Sequence, residues 1–234
     1  MSKTAIISGA SSGIGAATAQ EFINLGYTVI NIARRKSPVG GTINVSADLS
    51  TEEGAKNAAI EAAETIPPGS RIALVHNASL MLKDSVHDCD NADLMRVLAV
   101  NVGAVNTLNR ELLPHMSAGS SIIYVGSTLS EKAVGGAHSY VISKHAQLGQ
   151  MRATCQDLMG SHIHTAMICP GFTDTEMLKQ HLGGDIELMH EIGSQNGFGR
   201  LVAPQEIAAA IIWAHQSPVI NGSVIHANLG QIER

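Results

Sequence analysis

Tyr140 and Lys144 are the side chains whose types and spacing first suggest chemistry. They stand four residues apart in Ser139–Met159, a segment predicted to be helical, and positions i and i+4 share one face of a helix. A phenol is a poor acid or base at neutral pH because its reference pKa is about 10, but a neighbouring ammonium favours the phenolate and lowers that pKa. We therefore expect Tyr140 to act as general acid in carbonyl reduction and as general base in the reverse reaction.

Ser127 is the third candidate for chemistry. It follows a predicted strand, Ser121–Val125, at the carboxyl end, where parallel sheets place ligand-binding groups. Its hydroxyl is suited to polarising the same carbonyl oxygen. A tyrosine and a lysine at this spacing are also a common surface pair on helices, so the pair alone is weak evidence. Its combination with Ser127 and a glycine-rich loop near the N-terminus predicts an active site.

That glycine-rich loop joins the first predicted strand, Thr4–Ser8, to a helix over Ile14–Leu25. Glycines allow a tight turn and a close approach of ligand to backbone, and the helix N-terminus adds N–H groups and positive potential. The spacing is GxxxGxG rather than GxGxxG, and the alternative is an ordinary strand-to-helix turn. Its position predicts a pyrophosphate site. The expected contacts are Gly9, Ser11, Ser12, Gly13, Ile14 and Gly15.

The end of the second predicted strand, Thr28–Ala33, indicates which dinucleotide binds. An NAD site carries an acidic residue about 20 positions beyond the glycines, where it binds the ribose 2′-hydroxyl. Here Ala33 is followed by Arg34, Arg35 and Lys36, and a guanidinium can hold a 2′-phosphate through charge-assisted hydrogen bonds. We expect NADP(H) in preference to NAD(H), with Arg34 as the first contact and Arg35 as the second. The alternative is a solvated basic turn.

Taken together, these motifs resemble the short-chain dehydrogenase/reductase family over nearly the whole chain. Ser8–Gly15 is similar to the family's TGxxxGIG element, with serine in place of threonine. Ser127, Tyr140 and Lys144 match its catalytic residues at the expected spacing, and Asn101 matches its catalytic asparagine. The resemblance implies that Tyr140 transfers the proton and that Ser127 orients the carbonyl. It implies that Lys144 binds the nicotinamide ribose and lowers the Tyr140 pKa, and that Asn101 holds a water linking Lys144 to solvent.

The resemblance implies further cofactor contacts and marks two departures. Asp48 with Leu49 is similar to the family's adenine site, and the element following the sixth strand is similar to its nicotinamide carboxamide site. The family's NNAG element reads His76-Asn77-Ala78-Ser79, so Ser79 adds a side chain near the cofactor, and His76 is interpreted as a hydrogen-bonded residue at the end of a strand. The implied contacts are Asp48, Leu49, Asn77, Ala78, Pro170, Gly171, Thr173 and Thr175.

A substrate lid at about residues 173–200 is also implied by the resemblance. Its methionine, leucine and phenylalanine side chains favour an apolar cleft for a small or medium ketone. Each residue expected to line that cleft also suits an ordinary position in the core or a loop. These residues are Thr128, Leu129, Val134, His138, Phe172 and Met177.

The elements that must position these residues alternate between strand and helix along the chain. That pattern predicts an α/β, Rossmann-type, doubly wound parallel sheet of about seven strands, with helices on both faces and a single domain over 1–234. The remaining predicted strands are Thr42–Ser46, Arg71–His76, His162–Ile168 and Ser223–Ala227. The remaining predicted helices are Thr51–Thr65, Asn91–Met116 with a bend near Gly103, and Pro204–His215.

Composition excludes several classes of protein. Hydrophobic residues make up 44% of the chain and charged residues 15%, a balance opposite to that of disordered proteins. The net charge of -5 and an aromatic content of 3% argue against nucleic acid as a partner. Three cysteines without a CxxC pair predict neither disulfides nor a metal site. Apolar runs are too short for a membrane span or a signal peptide, which indicates a cytoplasmic protein.

The function expected from the sequence is hydride transfer between NADP(H) and a carbonyl or alcohol substrate. Alternatives within the same class are a 3-oxoacyl-thioester reductase and a sugar or pteridine reductase. The alternative of another class is a regulatory sensor that binds NADP(H) without turnover, which would need no proton relay. The resemblance also implies a homodimer or homotetramer formed through the two long helices.

Overall fold

Seven strands form one parallel sheet in the order β3-β2-β1-β4-β5-β6-β7 in this computed structural model, which describes residues 2–231. The strands are β1 Lys3–Ser8, β2 Thr28–Ala33, β3 Thr42–Ser46, β4 Arg71–His76, β5 Ser121–Val125, β6 His164–Pro170 and β7 Ser223–Ala227. The chain runs outward from β1 to β3 and returns to β4 on the other side of β1. Open parallel sheets bind ligands at the carboxyl edge beside such a reversal, so the expected site lies where β1 and β4 end.

Helices on both faces of the sheet make the connections between these strands. Over residues 2–231 the α-helices are α1 Gly13–Asn24, α2 Glu52–Glu64, α3 Asn91–Leu98, α4 Ala104–Leu112, α5 His138–Asp157, α6 Glu176–His181, α7 Ile186–Gly193 and α8 Pro204–Gln216. Thr51 caps α2 by accepting a hydrogen bond from the Gly54 N–H, and Pro204 occupies the first turn of α8. Both residues are at the helix starts that their types favour.

Two apolar clusters fill the spaces between the sheet and its helices. One cluster covers the face on which α1 and α8 pack and includes Phe22 and Ile211. The other covers the face on which α2, α4 and α5 pack and includes Ala58, Leu108 and Met151. Because both faces of the sheet are buried, most strands are continuous apolar runs without alternation. The predicted fold class is confirmed.

Two predicted elements differ from the structure in ways that have local causes. The long helix predicted over Asn91–Met116 is interrupted by a π turn at Ala99–Gly103 and ends in a 3-10 turn, and Gly103, the predicted position of a bend, is the last residue of the π turn. The sixth strand begins at His164 and not at His162, because His162 has φ 59 and this left-handed backbone cannot continue a strand. Among residues 2–231, no helix combines the length and apolar character needed to cross a membrane.

Candidate active site

The carboxyl ends of four neighbouring strands bring the predicted motifs together at one edge of the sheet. The glycine-rich loop follows β1, Asn77 follows β4, Ser127 follows β5 and Gly171 follows β6. Strand pairing places these ends side by side, since Ser8 pairs with His76 in the parallel register. A cavity of about 900 Å³ opens at this edge, near the upper end of the usual range of roughly 300–1,000 Å³ for ligand pockets.

Glycines shape the loop for two different reasons. Gly9 and Gly13 have φ of 76° and 53°, a left-handed backbone that glycine adopts without steric cost, and both line the cavity. Gly15 does not line the cavity. A Cβ there would collide with the carbonyl oxygen of Gly9, so this glycine permits close packing of α1 against the loop. Gly15 as a direct contact of the cofactor stays a prediction, and what the structure shows is that it lets the loop pack against α1.

Ser8 and Asn77 hold the loop against the end of β4. The Ser8 hydroxyl accepts hydrogen bonds from the N–H groups of Asn77 and Ala78 at 3.0 and 3.1 Å. The Asn77 amide donates to the carbonyls of Ser8 and Gly9 at 3.1 and 2.9 Å. These four bonds cross-link two strand ends that are about 70 residues apart in the sequence.

The arginine turn lies at one end of the cavity. Asn31, fully buried in β2, accepts from the Ala10 N–H at 2.8 Å and donates to the carbonyl of Arg35 at 3.1 Å. The Arg35 guanidinium reaches the Ser12 hydroxyl at 3.5 Å, and the charge of Arg34 contributes to a lowered pKa of Asp48, whose main cause is hydrogen bonding from Ser50. Asn31 thus ties the arginine turn to the glycine-rich loop, a role that the sequence analysis missed.

Tyr140 lies at the opposite end of the cavity, on the first turns of α5. Burial raises its pKa to about 12, and hydrogen bonds with the Ser127 and Ser79 hydroxyls act in the lowering direction. The Lys144 ammonium lies 5.5 Å from the centre of its ring. The expectation of a net lowered Tyr140 pKa is wrong for the protein alone, because burial outweighs its neighbours. At neutral pH the phenol is therefore protonated.

Lys144 is almost completely buried, with 2% of its surface exposed. Its ammonium donates to the carbonyl of Val125 at 2.9 Å and to the Gln147 Oε1 atom at 3.1 Å. Burial lowers its pKa to about 8, because a charged group is less stable away from water. Two protein acceptors therefore fix the Lys144 ammonium where it lines the cavity beside Tyr140.

Asn101 lies in the π turn and is fully buried behind the cavity wall. Its amide donates to the Leu80 carbonyl and the Ser143 hydroxyl, and its Oδ1 atom accepts from the Leu80 N–H and the Ser79 hydroxyl. Its backbone carbonyl accepts from the Gln147 Nε2 atom at 3.3 Å. The resemblance implied that Asn101 holds a water linking Lys144 to solvent, which stays a prediction; the structure shows that the Gln147 side chain bridges Lys144 and the Asn101 carbonyl.

The lining of this cavity fits a nicotinamide dinucleotide. Ser12 precedes α1 and makes no side-chain capping bond within the described residues, so the N–H groups of the first turn keep their capacity for an anion. A Cβ at Gly13 would lie 3.1 Å from the Thr175 Cγ2 atom, so a side chain there would narrow the passage beside the loop. Cationic side chains at one end and Tyr140 at the other are separated by this backbone-lined passage.

Comparison with known proteins decides the family. A family model described as enoyl-(acyl carrier protein) reductase matches residues 9–231. The chain belongs to the short-chain dehydrogenase/reductase family. It is therefore an oxidoreductase of a family that acts on CH–OH and carbonyl groups and binds nicotinamide cofactors.

Other proteins, some of them with solved structures, match this short-chain dehydrogenase/reductase over nearly its full length. It is 29% identical to the uncharacterized oxidoreductase YmfI of Bacillus subtilis, covering 98% of this chain and 99% of that protein. It is 29% identical to a probable NADP-dependent dehydrogenase of Haemophilus influenzae, covering 98% and 92%. The crystal structure of a short chain dehydrogenase family protein from Francisella tularensis has a TM-score of 0.88 at 25% identity, covering 98% of both chains.

In this short-chain dehydrogenase/reductase, nearly all of the residues that were expected to bind the cofactor line the cavity. Gly15 is the exception already described. The residues that line it are Gly9, Ser11, Ser12, Gly13, Ile14, Arg34, Arg35, Asp48, Leu49, Asn77, Ala78, Tyr140, Lys144, Pro170, Gly171, Thr173 and Thr175.

The expected substrate cleft is only partly as the resemblance implied. Thr128, Leu129, Val134, Phe172 and Met177 line the cavity. His138 is not among the lining residues. The prediction for His138 stays untested; it precedes Tyr140 by two positions, and residues i and i+2 on a helix do not face the same side.

Three side chains that the sequence analysis did not assign to the site contact its residues directly. Ser79, noted only as a departure, bonds with both Asn101 and Tyr140. Gln147 stands three positions after Lys144, a spacing that puts the two on one helix face, yet nothing in the sequence showed that a buried carbonyl would meet it. Asn31 is the third. His76 matches its interpretation, with Nε2 2.7 Å from the Asn109 Oδ1 atom.

Proposed function

We propose that this short-chain dehydrogenase/reductase is an NADP(H)-dependent carbonyl reductase or alcohol dehydrogenase in which Tyr140 is the general acid–base. The observation that carries the proposal is the group formed by Ser127 with the buried Tyr140 and Lys144, in a cavity that is also lined by two arginines. When bound, the nicotinamide would supply or accept the hydride. The protein residues then need to orient the carbonyl and move one proton.

Protonation at neutral pH suits Tyr140 for reduction. Its pKa of about 12 keeps the phenol protonated, so it can give its proton to the carbonyl oxygen of the substrate. Ser127 bonds to the same phenol and is placed to orient that oxygen by a second hydrogen bond. The phenolate that remains would be stabilised by the Lys144 ammonium and by the Ser127 and Ser79 hydroxyls. In alcohol oxidation the same groups act in the opposite direction, and Tyr140 must first be a phenolate so that it can accept the proton of the alcohol.

Arg34 and Arg35 support the preference for NADP(H). Both line the cavity at the end where β2 stops, and the preceding residue is Ala33 in place of an acid. Asn31 holds the turn that carries them. The name of one relative, a probable NADP-dependent dehydrogenase of Haemophilus influenzae, agrees with this preference.

The segment 173–200 supports an apolar substrate, and we propose it as the substrate lid. It contributes α6, α7 and several cavity residues, among them Met177 and Leu178. Phe172 and Val134 add apolar surface to the same cavity. A small or medium ketone with an apolar substituent suits this lining.

A homo-oligomer is part of the proposal. Met95 on α3 and Ile142 on α5 expose 62% and 37% of their surfaces, and they lie on the two helices through which the resemblance implies assembly. Light scattering on the purified protein measures the mass directly, and a monomer at micromolar concentration would contradict this part.

The test of the reaction is NADPH oxidation with a panel of aliphatic and aromatic ketones, a 3-oxoacyl thioester and a sugar ketone. Tyr140→Phe should lower kcat by about 10²–10⁴-fold, the usual contribution of a general acid. Tyr27→Phe is the matched control, because the Tyr27 hydroxyl bonds with His215 away from the cavity. The proposal would be contradicted if Tyr140→Phe left turnover intact. It would also be contradicted if the wild-type protein turned over none of the substrates, a result that would favour a sensor.

A further inference from the structure

Gln147 is a fully buried amide that touches two parts of the site at once. Its Oε1 atom lies 3.1 Å from the Lys144 Nζ atom, and its Nε2 atom lies 3.3 Å from the backbone carbonyl of Asn101. Lys144 and Gln147 share one face of α5, while Asn101 belongs to the π turn packed against that face. A purely packing role would be served better by an apolar side chain, because a buried amide must find partners for both its ends.

The Asn101 carbonyl determines which end of the amide faces Lys144. A carbonyl oxygen accepts only, so it selects the NH₂ end of Gln147 and leaves the Oε1 atom pointing at the ammonium. The reverse orientation would place an NH₂ group against Lys144 and a carbonyl against a carbonyl. The backbone of the π turn therefore acts on Lys144 through Gln147.

Lys144 has three N–H donors. Within the described residues, the Val125 carbonyl and the Gln147 oxygen accept two of the hydrogen bonds it donates, and Lys144 also lines the cavity. We propose that Gln147 is a positioning residue that fixes the Lys144 ammonium and directs its remaining donor into the cavity, toward the hydroxyls of a bound nicotinamide ribose. This rests on the proposed function, since it takes Lys144 as the group that binds the cofactor.

The titration of Lys144 gives the role a measurable signature. Burial lowers the pKa of Lys144 to about 8, and an oxygen acceptor opposes that effect by stabilising the ammonium. The titratable groups facing it are the Tyr140 phenol on its own helix and the Cys169 thiol of β6, and burial raises their pKa values to about 12 and about 11. β5 presents the Val125 carbonyl to Lys144, and the π turn presents Asn101, which reaches Lys144 only through Gln147. Between pH 7 and 10, Lys144 is therefore the member of this group that changes charge.

The experiment is NADPH binding by fluorescence titration at steps from pH 7 to 10, with the full-length protein. Gln147→Leu removes the acceptor at similar size, so the pH midpoint at which affinity falls should move down, and affinity at pH 7 should drop about 10-fold, as for one hydrogen bond to a charged group. Gln147→Glu places a carboxylate beside the ammonium, so the midpoint should move up. Opposite shifts from the two variants are the expected result.

Gln150→Leu is the matched control, because Gln150 on the same helix donates to the Val102 carbonyl of the π turn at 3.4 Å without touching Lys144. It should leave the midpoint in place. The proposal is overturned if Gln147→Leu does not lower the midpoint, if Gln147→Glu does not raise it, or if either shift is no larger than that of Gln150→Leu. Thermal unfolding checks each variant, and Gln147→Met replaces Gln147→Glu if the latter does not fold, with a downward shift expected. NADPH binding is measured without turnover, so its result does not depend on whether Tyr140 is the general acid–base.

Discussion

Removing the arginines that follow β2 should abolish the preference for NADPH over NADH. Arg34 and Arg35 line the cavity end next to the glycine-rich loop, and Arg35 reaches Ser12 at 3.5 Å. A charge-assisted hydrogen bond contributes about 1.5–3 kcal/mol, and screening at an exposed site brings the value to the lower limit. About 1.4 kcal/mol is a factor of ten in affinity. Each alanine variant should therefore raise the KM for NADPH about 10-fold, and the double variant about 100-fold if the sites act independently.

The assay is steady-state reduction of a saturating ketone with either cofactor at about 0.1 M ionic strength. The KM for NADH should change little, because NADH has no 2′-phosphate for the guanidinium groups to bind. Lys36→Ala is the matched control, since Lys36 follows the two arginines in the same basic turn but is not among the cavity-lining residues. If Arg34→Ala and Arg35→Ala leave the KM for NADPH unchanged, the turn is not a phosphate site and the cofactor assignment fails.

Three further predictions concern residues that support the site. Ser8→Ala removes the acceptor of two backbone N–H groups, so the free energy of unfolding measured with urea should fall by about 1–3 kcal/mol. An unchanged urea midpoint would show that these hydrogen bonds do not stabilise the protein. His76 is buried with its pKa lowered to about 4. The unfolded state then binds more protons as the pH falls from about 6.5 to 4, so stability is lost over that range, and His76→Asn should lose less in acid unfolding titrations. Ser79→Gly removes a hydroxyl that bonds with Tyr140 and Asn101, so kcat should fall about 10-fold, and the pKa of Tyr140 seen in the pH profile of alcohol oxidation should rise. A profile that does not move would show that Ser79 only fills space.

Most of the strands were predictable from the sequence because they are short apolar runs bounded by turn residues. β2, β4 and β5 begin and end at the residues predicted for them. Parallel topology follows from the alternation of strands and helices, and the carboxyl edge then collects the motifs without further information. For the same reason the glycine-rich loop, Ser127 and Tyr140 were expected to meet, and the structure places them around one cavity.

The π turn and the segment after β6 were less predictable. The sequence predicts a bend near Gly103, but only packing against α5 shows what the π turn does there, namely present the Asn101 carbonyl to Gln147. The segment 173–200 has weak periodicity in sequence, yet it forms α6 and α7, each begun by a capping residue, Thr175 and Asp185.

The sequence by itself determined the family, the fold class and the residue types available for proton transfer, because these depend on local periodicity and on motif spacing. Tertiary structure alone decided the electrostatics and the contacts. It decided that burial raises the pKa of Tyr140, and that Gln147 links Lys144 to Asn101. Burial and the distances between side chains depend on how elements far apart in the chain pack together, and no local pattern contains that information.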